Sequence, residues 1–130
     1  MVTSRNISFP EITAQDVHEA ILKAGNTAPG LDKIPTKVLQ LAWPLIEAKV
    51  LMLFQKCLTY GHHPACFWTA ILAITPKPNK ADRSSPRSYR PIALLSVLGK
   101  GLKRLITRKI AWLAISLQIV GKQQFGALPL

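Results

Sequence analysis

The chain has 130 residues and 48% of them are hydrophobic, so it is long enough for one domain and apolar enough to bury a core. Its 17 basic and 6 acidic residues give a net charge of +11, and its 2 cysteines provide no disulfide framework. This composition excludes a disordered chain and a disulfide-stapled secreted domain, and it favours a polyanionic partner such as nucleic acid.

The positive charge is concentrated in the second part of the chain. Residues 1–47 contain four basic and five acidic residues, whereas residues 48–130 contain 13 basic residues and one acid, Asp82. Residues 1–10 lack the apolar core of a secretory signal. The longest nearly apolar run, residues 110–120, is shorter than the roughly 20 residues that span a bilayer. We therefore expect an intracellular protein, nuclear or cytoplasmic, without a membrane partner.

The first predicted helix covers residues 14–24. Thr13 is its candidate N-cap, and Asp16 three residues later forms a capping-box variant that also suits the positive end of the helix dipole. Apolar residues recur at helical spacing, and Gly25 is a natural stop. The loop that follows reads "NTAPGLDKIP" and contains a Pro-Gly turn.

Two further helices are predicted on either side of Pro44, over residues 35–43 and 45–60. The second is apolar nearly all round, so we expect it at the centre of the core. Residues 68–75 are short, apolar and bounded by proline, which predicts a strand, and residues 91–95 form an extended piece that would pair with it. A long helix over residues 96–117 completes an α+β fold that is predominantly α-helical, with a short two-stranded element.

The segment between the two extended pieces is a proline-punctuated cationic loop. Its basic residues are Lys77, Lys80, Arg83, Arg87 and Arg90, against the single acid Asp82. Arginine offers phosphate a planar fork and lysine a point charge, while prolines limit the freedom that binding would remove. These residues are therefore candidates for phosphate contacts. The alternative is an ordinary solvated surface loop.

A second basic set lies on the last predicted helix, where Lys100, Arg104 and Arg108 recur every fourth residue. Such a row spans about 12 Å and could follow a sugar-phosphate backbone. The alternative is the wet face of an amphipathic helix. The lack of any acid on this helix keeps the nucleic-acid interpretation open.

The sequence provides no metal site or catalytic site that we can assemble. Cys57, His62, His63 and Cys66 do not have a standard zinc spacing, and a two-metal phosphoryl-transfer site needs clustered carboxylates. We therefore assign no catalytic residue and no metal ligand.

Three segments together resemble the opening of the reverse-transcriptase domain of non-LTR (LINE-type) retrotransposons. They are "TAPGLDKIP" (residues 27–35), "ITPKPNKADRSSPRSYRPIALLSVLGKGLKRLI" (residues 74–106) and "QFGALP" (residues 124–129). The last looks most like fungal elements, and the resemblance covers about residues 9–130.

The resemblance implies a partial reverse-transcriptase domain over residues 1–130, with an N-terminal extension over about 9–66, fingers over about 67–130, and no palm or thumb. By the family pattern, Arg90 and Lys77 match positions that contact the nucleotide triphosphate. The partners would be an RNA template and a DNA/RNA hybrid, with Lys80, Arg83, Arg87, Lys100, Arg104 and Arg108 on the nucleic acid. The parent enzyme would need Mg²⁺, but this fragment would hold no cofactor.

The chain also departs from the family pattern. The family's catalytic aspartates lie beyond Leu130, so we expect no polymerase activity from this chain alone. Lys103 stands where a glutamate is common and Gly101 where a bulkier apolar residue is usual, which suggests a decayed copy. The other interpretations are a stand-alone basic RNA- or DNA-binding module and a membrane-surface protein that uses its basic amphipathic helix.

Overall fold

The computed structural model describes residues 9–80, 82–119 and 121, and combines helices with one antiparallel sheet of two strands. In chain order the elements are α1 (Ala14–Leu22), α2 (Thr36–Thr59), α3 (Ala65–Trp68), β1 (Ile71–Pro76), β2 (Tyr89–Leu94) and α4 (Val97–Ser116). This agrees with the expected α+β class and its short two-stranded element.

The start of α1 is the capping box that the sequence predicts. The Thr13 hydroxyl accepts a hydrogen bond from the Asp16 amide, and the Asp16 carboxylate accepts one from the Thr13 amide at 3.0 Å. The helix ends two residues earlier than expected, at Leu22, and Gly25 then adopts a φ of +76°. Glycine takes this left-handed conformation without steric cost.

The core lies where α1 packs between α2 and α4. The largest fully buried side chains come from all three helices: Val17, Ile21, Phe54, Val97, Leu102 and Leu105. Burial of each such side chain is worth about 1.5–3 kcal/mol, so this shared cluster is the main source of stability.

Gly101 allows the close approach of α4 to α1. A Cβ at this position would come within 2.6 Å of Ile21 Cγ1, which is too short for a van der Waals contact. Both Gly101 and Ile21 are buried in the close-packed core, so the clashing atoms have little room to shift. The cost of glycine in a helix is thus offset by packing, and Gly101 by itself does not indicate decay.

The prediction of two helices separated at Pro44 is wrong, because α2 is continuous through this proline. A proline inside a helix deprives the carbonyl four residues earlier, here that of Gln40, of its donor. Gln40 and Pro44 are both exposed, so water can replace the missing bond, while the buried Trp43 and Val50 anchor the helix on both sides.

The helix predicted over residues 45–60 contributes to the core as expected, but only through one of its faces. One face supplies Leu39, Trp43, Val50 and Phe54 to the core, but Leu41 and Leu45 on the other side are 77% and 83% exposed. Among the described residues, α2 is also the one helix whose length and composition would allow it to cross a membrane, a test that core helices of soluble proteins pass as well. The sequence analysis did not find a helix of this length, because it divided α2 at Pro44.

The two strands pair as expected, and the pairing is antiparallel, with Ile71 opposite Leu94 and Pro76 opposite Tyr89. The first strand begins at Ile71 rather than at residue 68, because Trp68 belongs to the short helix α3. The strands contact mainly each other, so the sheet extends from the helical body. Ser96 caps α4 by accepting a hydrogen bond from the Gly99 amide at 3.0 Å, close to the predicted start.

Candidate nucleic-acid interface

The cationic loop joins β1 to β2 at the free end of the sheet. The ladder continues one residue beyond the strands through a bond from the Lys77 amide to the Ser88 carbonyl, 2.8 Å long. A short 3₁₀ turn, Pro86–Ser88, then leads into β2, and the Ser85 hydroxyl caps it by accepting from the Arg87 amide. The loop is therefore anchored at its base on both strands.

Side chains tie the described part of this loop to its own backbone. The Tyr89 hydroxyl donates to the Arg83 carbonyl at 3.0 Å, and the Lys77 ammonium donates to the Arg87 carbonyl at 2.7 Å. The Ser88 hydroxyl, which is part of a buried side chain, donates to the Asp82 carbonyl. Two basic residues are thus held by their main chain while their guanidinium groups remain free of these bonds.

The single acid of the loop does not neutralise it. The Asp82 carboxylate accepts bonds from the Ser84 hydroxyl and amide, which lower its pKa although slight burial opposes this. Among the described residues, no ion pair involves Asp82 or any of the loop's basic side chains. The loop therefore keeps its positive charge at neutral pH.

The predicted phosphate-binding residues of the loop are mostly in contact with solvent. Lys80, Arg83, Arg87 and Arg90 are exposed, whereas Lys77 is half-buried by its bond to the Arg87 carbonyl. Arg90 lies opposite Thr75 in the sheet, so its side chain shares a face with that of Lys77 two residues further along. The two predicted nucleotide-contacting residues are thus neighbours on one face.

The basic row of α4 lies elsewhere and is bonded within the chain. The Lys100 ammonium donates to the Ala28 carbonyl at 2.6 Å, and Arg104 donates to the Ala20 carbonyl at 3.2 Å. Arg108 lies 3.9 Å from the Glu19 carboxylate. Burial, with repulsion from Arg104, lowers the pKa of Lys100, and attraction to Asp32 only partly opposes this. The structure does not bring this row together with the cationic loop.

The contacts of Arg104 with Ala20 and of Arg108 with Glu19 place this row against α1, and their order along the chain shows that the two helices run antiparallel. Ala20 carries one of the last carbonyls of α1, where the helix dipole favours a cation such as Arg104. At the opposite end, Lys109 forms a 2.8 Å ion pair with Asp16, which the sequence analysis did not single out. The sequence does contain a signal for this pairing, because the acids Asp16 and Glu19 lie three residues apart and so share one face of α1.

The first resembling segment also has a structural explanation. Gly30 packs against the entry to α4, because a Cβ there would lie 2.6 Å from the Ser96 nitrogen. The Ala28 carbonyl accepts the Lys100 bond. Two segments of the resemblance that are far apart in sequence, residues 27–35 and 94–100, therefore contact each other.

One surface that sequence reasoning missed is an open groove of about 330 Å³ beside α3. Trp68, 69% exposed, and Lys103 both line it. An exposed aromatic ring beside a cation is the arrangement on which nucleic-acid bases stack. The strand predicted from residue 68 concealed it, since Trp68 was counted as part of the sheet.

The described residues contain no group of three or more histidine, cysteine or acidic side chains placed to hold a metal ion. Cys57 is buried in the core and Cys66 is exposed. Burial, and to a smaller extent the neighbouring Cys66, raises the pKa of the Cys57 thiol, so it behaves as a core side chain rather than as a nucleophile.

Curated proteins of retrotransposons are similar to this chain. A putative 115 kDa protein in type-1 retrotransposable element R1DM of Drosophila melanogaster is 32% identical over 102 residues, which cover 77% of this chain and 10% of that protein. The RNA-directed DNA polymerase from mobile element jockey of Drosophila funebris is 31% identical over 88% of this chain and 13% of its own length. A retrovirus-related Pol polyprotein from element R1 of Bradysia coprophila is 29% identical over 78% of this chain and 10% of its own length.

These similarities support a relationship to the reverse transcriptases of non-LTR retrotransposons, as the resembling segments suggested. No protein-family model matches the chain. The chain spans only about a tenth of the length of these relatives. The matched relatives come from insects, so the likeness to fungal elements is not supported, and residues 124–129, on which it rested, lie outside the described residues.

Proposed function

We propose that the chain is the N-terminal part of a reverse-transcriptase domain and that its cationic loop contacts the phosphates of an RNA template or a DNA/RNA hybrid. In this proposal residues 9–66 are the N-terminal extension and residues 67–130 belong to the fingers. The observation that carries it is a set of exposed basic side chains, without an ion-pair partner among the described residues, on a loop held by its own hydrogen bonds.

Two physical features of the loop support binding. Four exposed cations without a partner among the described residues have no ion pair to break before they meet a phosphate. The bonds from Tyr89 and Lys77 to loop carbonyls restrict the backbone in advance, so less conformational entropy is lost on binding. The alternative is an ordinary solvated surface loop, which would have no need of these internal hydrogen bonds.

We assign the basic residues different roles. Lys80, Arg83 and Arg87 would contact the nucleic-acid backbone, while Arg90 with Lys77 would contact the triphosphate of a nucleotide. Lys77 must first release the Arg87 carbonyl, so we expect the larger contribution from Arg90. The contacts with α1 and with the Ala28 carbonyl favour a structural role for Lys100, Arg104 and Arg108. We therefore expect these three residues to contribute less to nucleic-acid binding than the loop does.

We infer that polymerisation requires the rest of the polypeptide. RNA-directed DNA polymerase is the activity named for the jockey relative, and two-metal catalysis of phosphoryl transfer needs clustered carboxylates. Residues 48–130 contain a single acidic residue, Asp82, and its carboxylate accepts a hydrogen bond from the Ser84 hydroxyl. Mg²⁺ would therefore be held by other parts of the parent enzyme. We infer an intracellular location, nuclear or cytoplasmic, where a nucleic-acid template is available.

The test is a titration of labelled single-stranded RNA with the purified chain at several salt concentrations. Replacing Lys80, Arg83, Arg87 and Arg90 together by Gln should weaken binding and reduce the slope of log affinity against log salt by up to about 3, since each phosphate contact on a single strand contributes about 0.7. The matched control replaces Lys37, Lys49 and Lys56, three exposed lysines of α2. If the control lowers the slope as much per charge removed, general charge rather than the loop binds RNA.

A second candidate function is a stand-alone basic RNA- or DNA-binding module. It is favoured by the core, which joins α1, α2 and α4 into one buried cluster within the chain. Thermal unfolding of the isolated chain distinguishes this module from a partial reverse-transcriptase domain, because only the module must unfold by itself in a cooperative, reversible transition. Primer extension on an RNA template should give no product in either case. Extension that depends on Arg90 would contradict both.

A further inference from the structure

The hydrogen-bonding register of the sheet determines which backbone groups face outward. Bonded and non-bonded residue pairs alternate along an antiparallel ladder. The bond from the Lys77 amide to the Ser88 carbonyl makes these two a bonded pair, so Thr75 with Arg90 and Ala73 with Ile92 are bonded pairs as well. The amides and carbonyls of Leu72 and Ile74 therefore point away from β2.

The two outer edges of the sheet differ. The outward positions of β2 are Tyr89, Pro91 and Ala93, and Pro91 has no amide proton to offer. On β1, Leu72 and Ile74 each present both a donor and an acceptor, and no charged side chain occurs from Ile71 to Pro76. Proline and charge are the usual means by which an edge strand resists pairing. In β2 the proline, Pro91, occupies the central outward position and the charged Arg90 stands beside it, whereas the proline in the outward row of β1, Pro76, is the last residue of the strand.

We propose that β1 is the interface of a homodimer, in which β1 of one copy pairs antiparallel with β1 of a second copy about a two-fold axis at Ala73. In this register the Leu72 amide bonds the partner's Ile74 carbonyl, and the Ile74 amide bonds the partner's Leu72 carbonyl. With the reciprocal bonds, the pairing satisfies every outward group of Leu72 and Ile74 and converts two strands into four. A sheet of two strands alone is marginal in water, and additional strands stabilise it.

The side chains fit the same register. Leu72 and Ile74 lie on one face of the sheet and are 63% and 66% exposed. Across the two-fold axis, Leu72 of each copy stands opposite Ile74 of the other, and apolar pairs directly opposite one another stabilise a sheet. The seam is thus complementary to itself in both backbone and side chains.

The net charge of +11 on each copy opposes association, but the position of the cationic loops makes this repulsion small in the antiparallel arrangement. Antiparallel pairing directs the two cationic loops to opposite ends of the seam. A six-residue strand is about 20 Å long, and charges further apart than about 8 Å are largely screened at physiological salt. Parallel pairing would place the loops side by side, so repulsion selects the antiparallel arrangement.

Sedimentation equilibrium of the purified chain tests the proposal. We expect the molar mass to double as the concentration rises, and the Ile74→Pro variant, which removes one outward amide, to remain a monomer. Ala93→Pro is the matched control, because it removes an outward amide from the edge of β2 and should leave the dimer intact. Helical circular dichroism checks that each variant is folded, since the core helices lie outside the sheet.

A second variant protects the test against misfolding of the hairpin. Leu72→Lys keeps the backbone donors but sets like charges beside the seam, and it should also abolish the dimer. A wild-type chain that stays monomeric at all concentrations overturns the proposal and leaves this edge to a strand from elsewhere in the longer polypeptide. A dimer that survives both β1 variants and disappears with Leu45→Glu also overturns it, in favour of the exposed face of α2.

Discussion

The cationic loop and the basic row of α4 have similar composition but different surroundings. In the loop, backbone carbonyls accept bonds from Tyr89 and Lys77, and the guanidinium groups of Arg83 and Arg87 remain exposed. On α4, Lys100 and Arg104 themselves donate to carbonyls of the N-terminal region. A basic residue that satisfies a carbonyl of its own chain stabilises the fold, whereas one whose loop is held by other bonds remains available to a ligand.

This comparison predicts that the α4 row contributes to the stability of the fold and the cationic loop to RNA binding. Changes on the α1–α4 contact should alter the free energy of unfolding and leave RNA affinity nearly unchanged. Changes in the loop should do the reverse. A variant of either region that alters both quantities strongly would remove the distinction.

The largest expected effect is on the packing side. Gly101→Leu introduces a side chain where even a Cβ would lie 2.6 Å from Ile21 Cγ1. We expect a loss of about 1–3 kcal/mol in the free energy of unfolding, measured by urea denaturation, because overpacked cores shift backbones and rotamers. Thr107→Leu, at an exposed position of the same helix, is the control. Equal stability of the two variants would mean that α4 does not approach α1 this closely.

A smaller effect is expected from Arg104→Met, which keeps an unbranched apolar stem but removes the donor to the Ala20 carbonyl at the end of α1. The expected loss is about 1–2 kcal/mol in the free energy of unfolding, since a charged donor is lost near the negative end of a helix dipole. Arg87→Met in the loop should change stability by less than about 0.5 kcal/mol. If Arg104→Met lowered RNA affinity more than Arg87→Met, the nucleic-acid role of the α4 row would be restored.

The ion pair between Asp16 and Lys109 predicts a pH dependence. Burial would raise the pKa of Asp16, but the bonds from Lys109 and Thr13 outweigh it, and the pKa is lowered from its usual 3.8. A carboxylate with a lowered pKa stabilises the fold above its unfolded pKa, and this contribution is lost as pH falls through the folded pKa.

Wild type should therefore exceed Asp16→Asn in stability by about 1 kcal/mol at neutral pH, the usual value of a helix cap. The difference should shrink as the pH falls below 3.8. Thermal unfolding across this range measures it. Lys23→Met, which removes an exposed ion pair with Glu19, is the control and should have little effect at any pH. If the difference in stability between wild type and Asp16→Asn does not change with pH, the charge of the Asp16 carboxylate does not contribute to stability.

Local chemistry made much of this fold predictable. The caps at Thr13 and Ser96 and the strands on either side of the loop follow from residues within a few positions of each other. The partners of Lys100 and Arg104 do not, because the carbonyls they bond lie 72 and 84 residues earlier in the chain. Helical spacing identified the basic row on α4 but not the surface that it faces.

The same limit explains the error on α2. A proline predicts a break when only its neighbours are considered, but packing of Trp43 and Val50 on both sides keeps the helix continuous. An apolar composition likewise predicts burial, although how much of a helix is covered depends on what packs against it. The charge of the loop was easier to predict than its surroundings, because charge is a property of the sequence.

The smallest effect is expected from Tyr89→Phe, which removes only the hydroxyl that donates to the Arg83 carbonyl. Because this bond is exposed, its loss should cost at most about 0.5–1 kcal/mol in the free energy of unfolding. If the bond orders the loop for binding, RNA affinity should fall by about two- to fivefold, since the entropy of ordering must then be lost on binding. The control is Tyr60→Phe, which removes the hydroxyl of an exposed tyrosine at the end of α2. Fluorescence anisotropy with the same RNA compares them. Unchanged affinity for Tyr89→Phe would show that the loop binds by its charge alone and that its internal bonds serve only the fold.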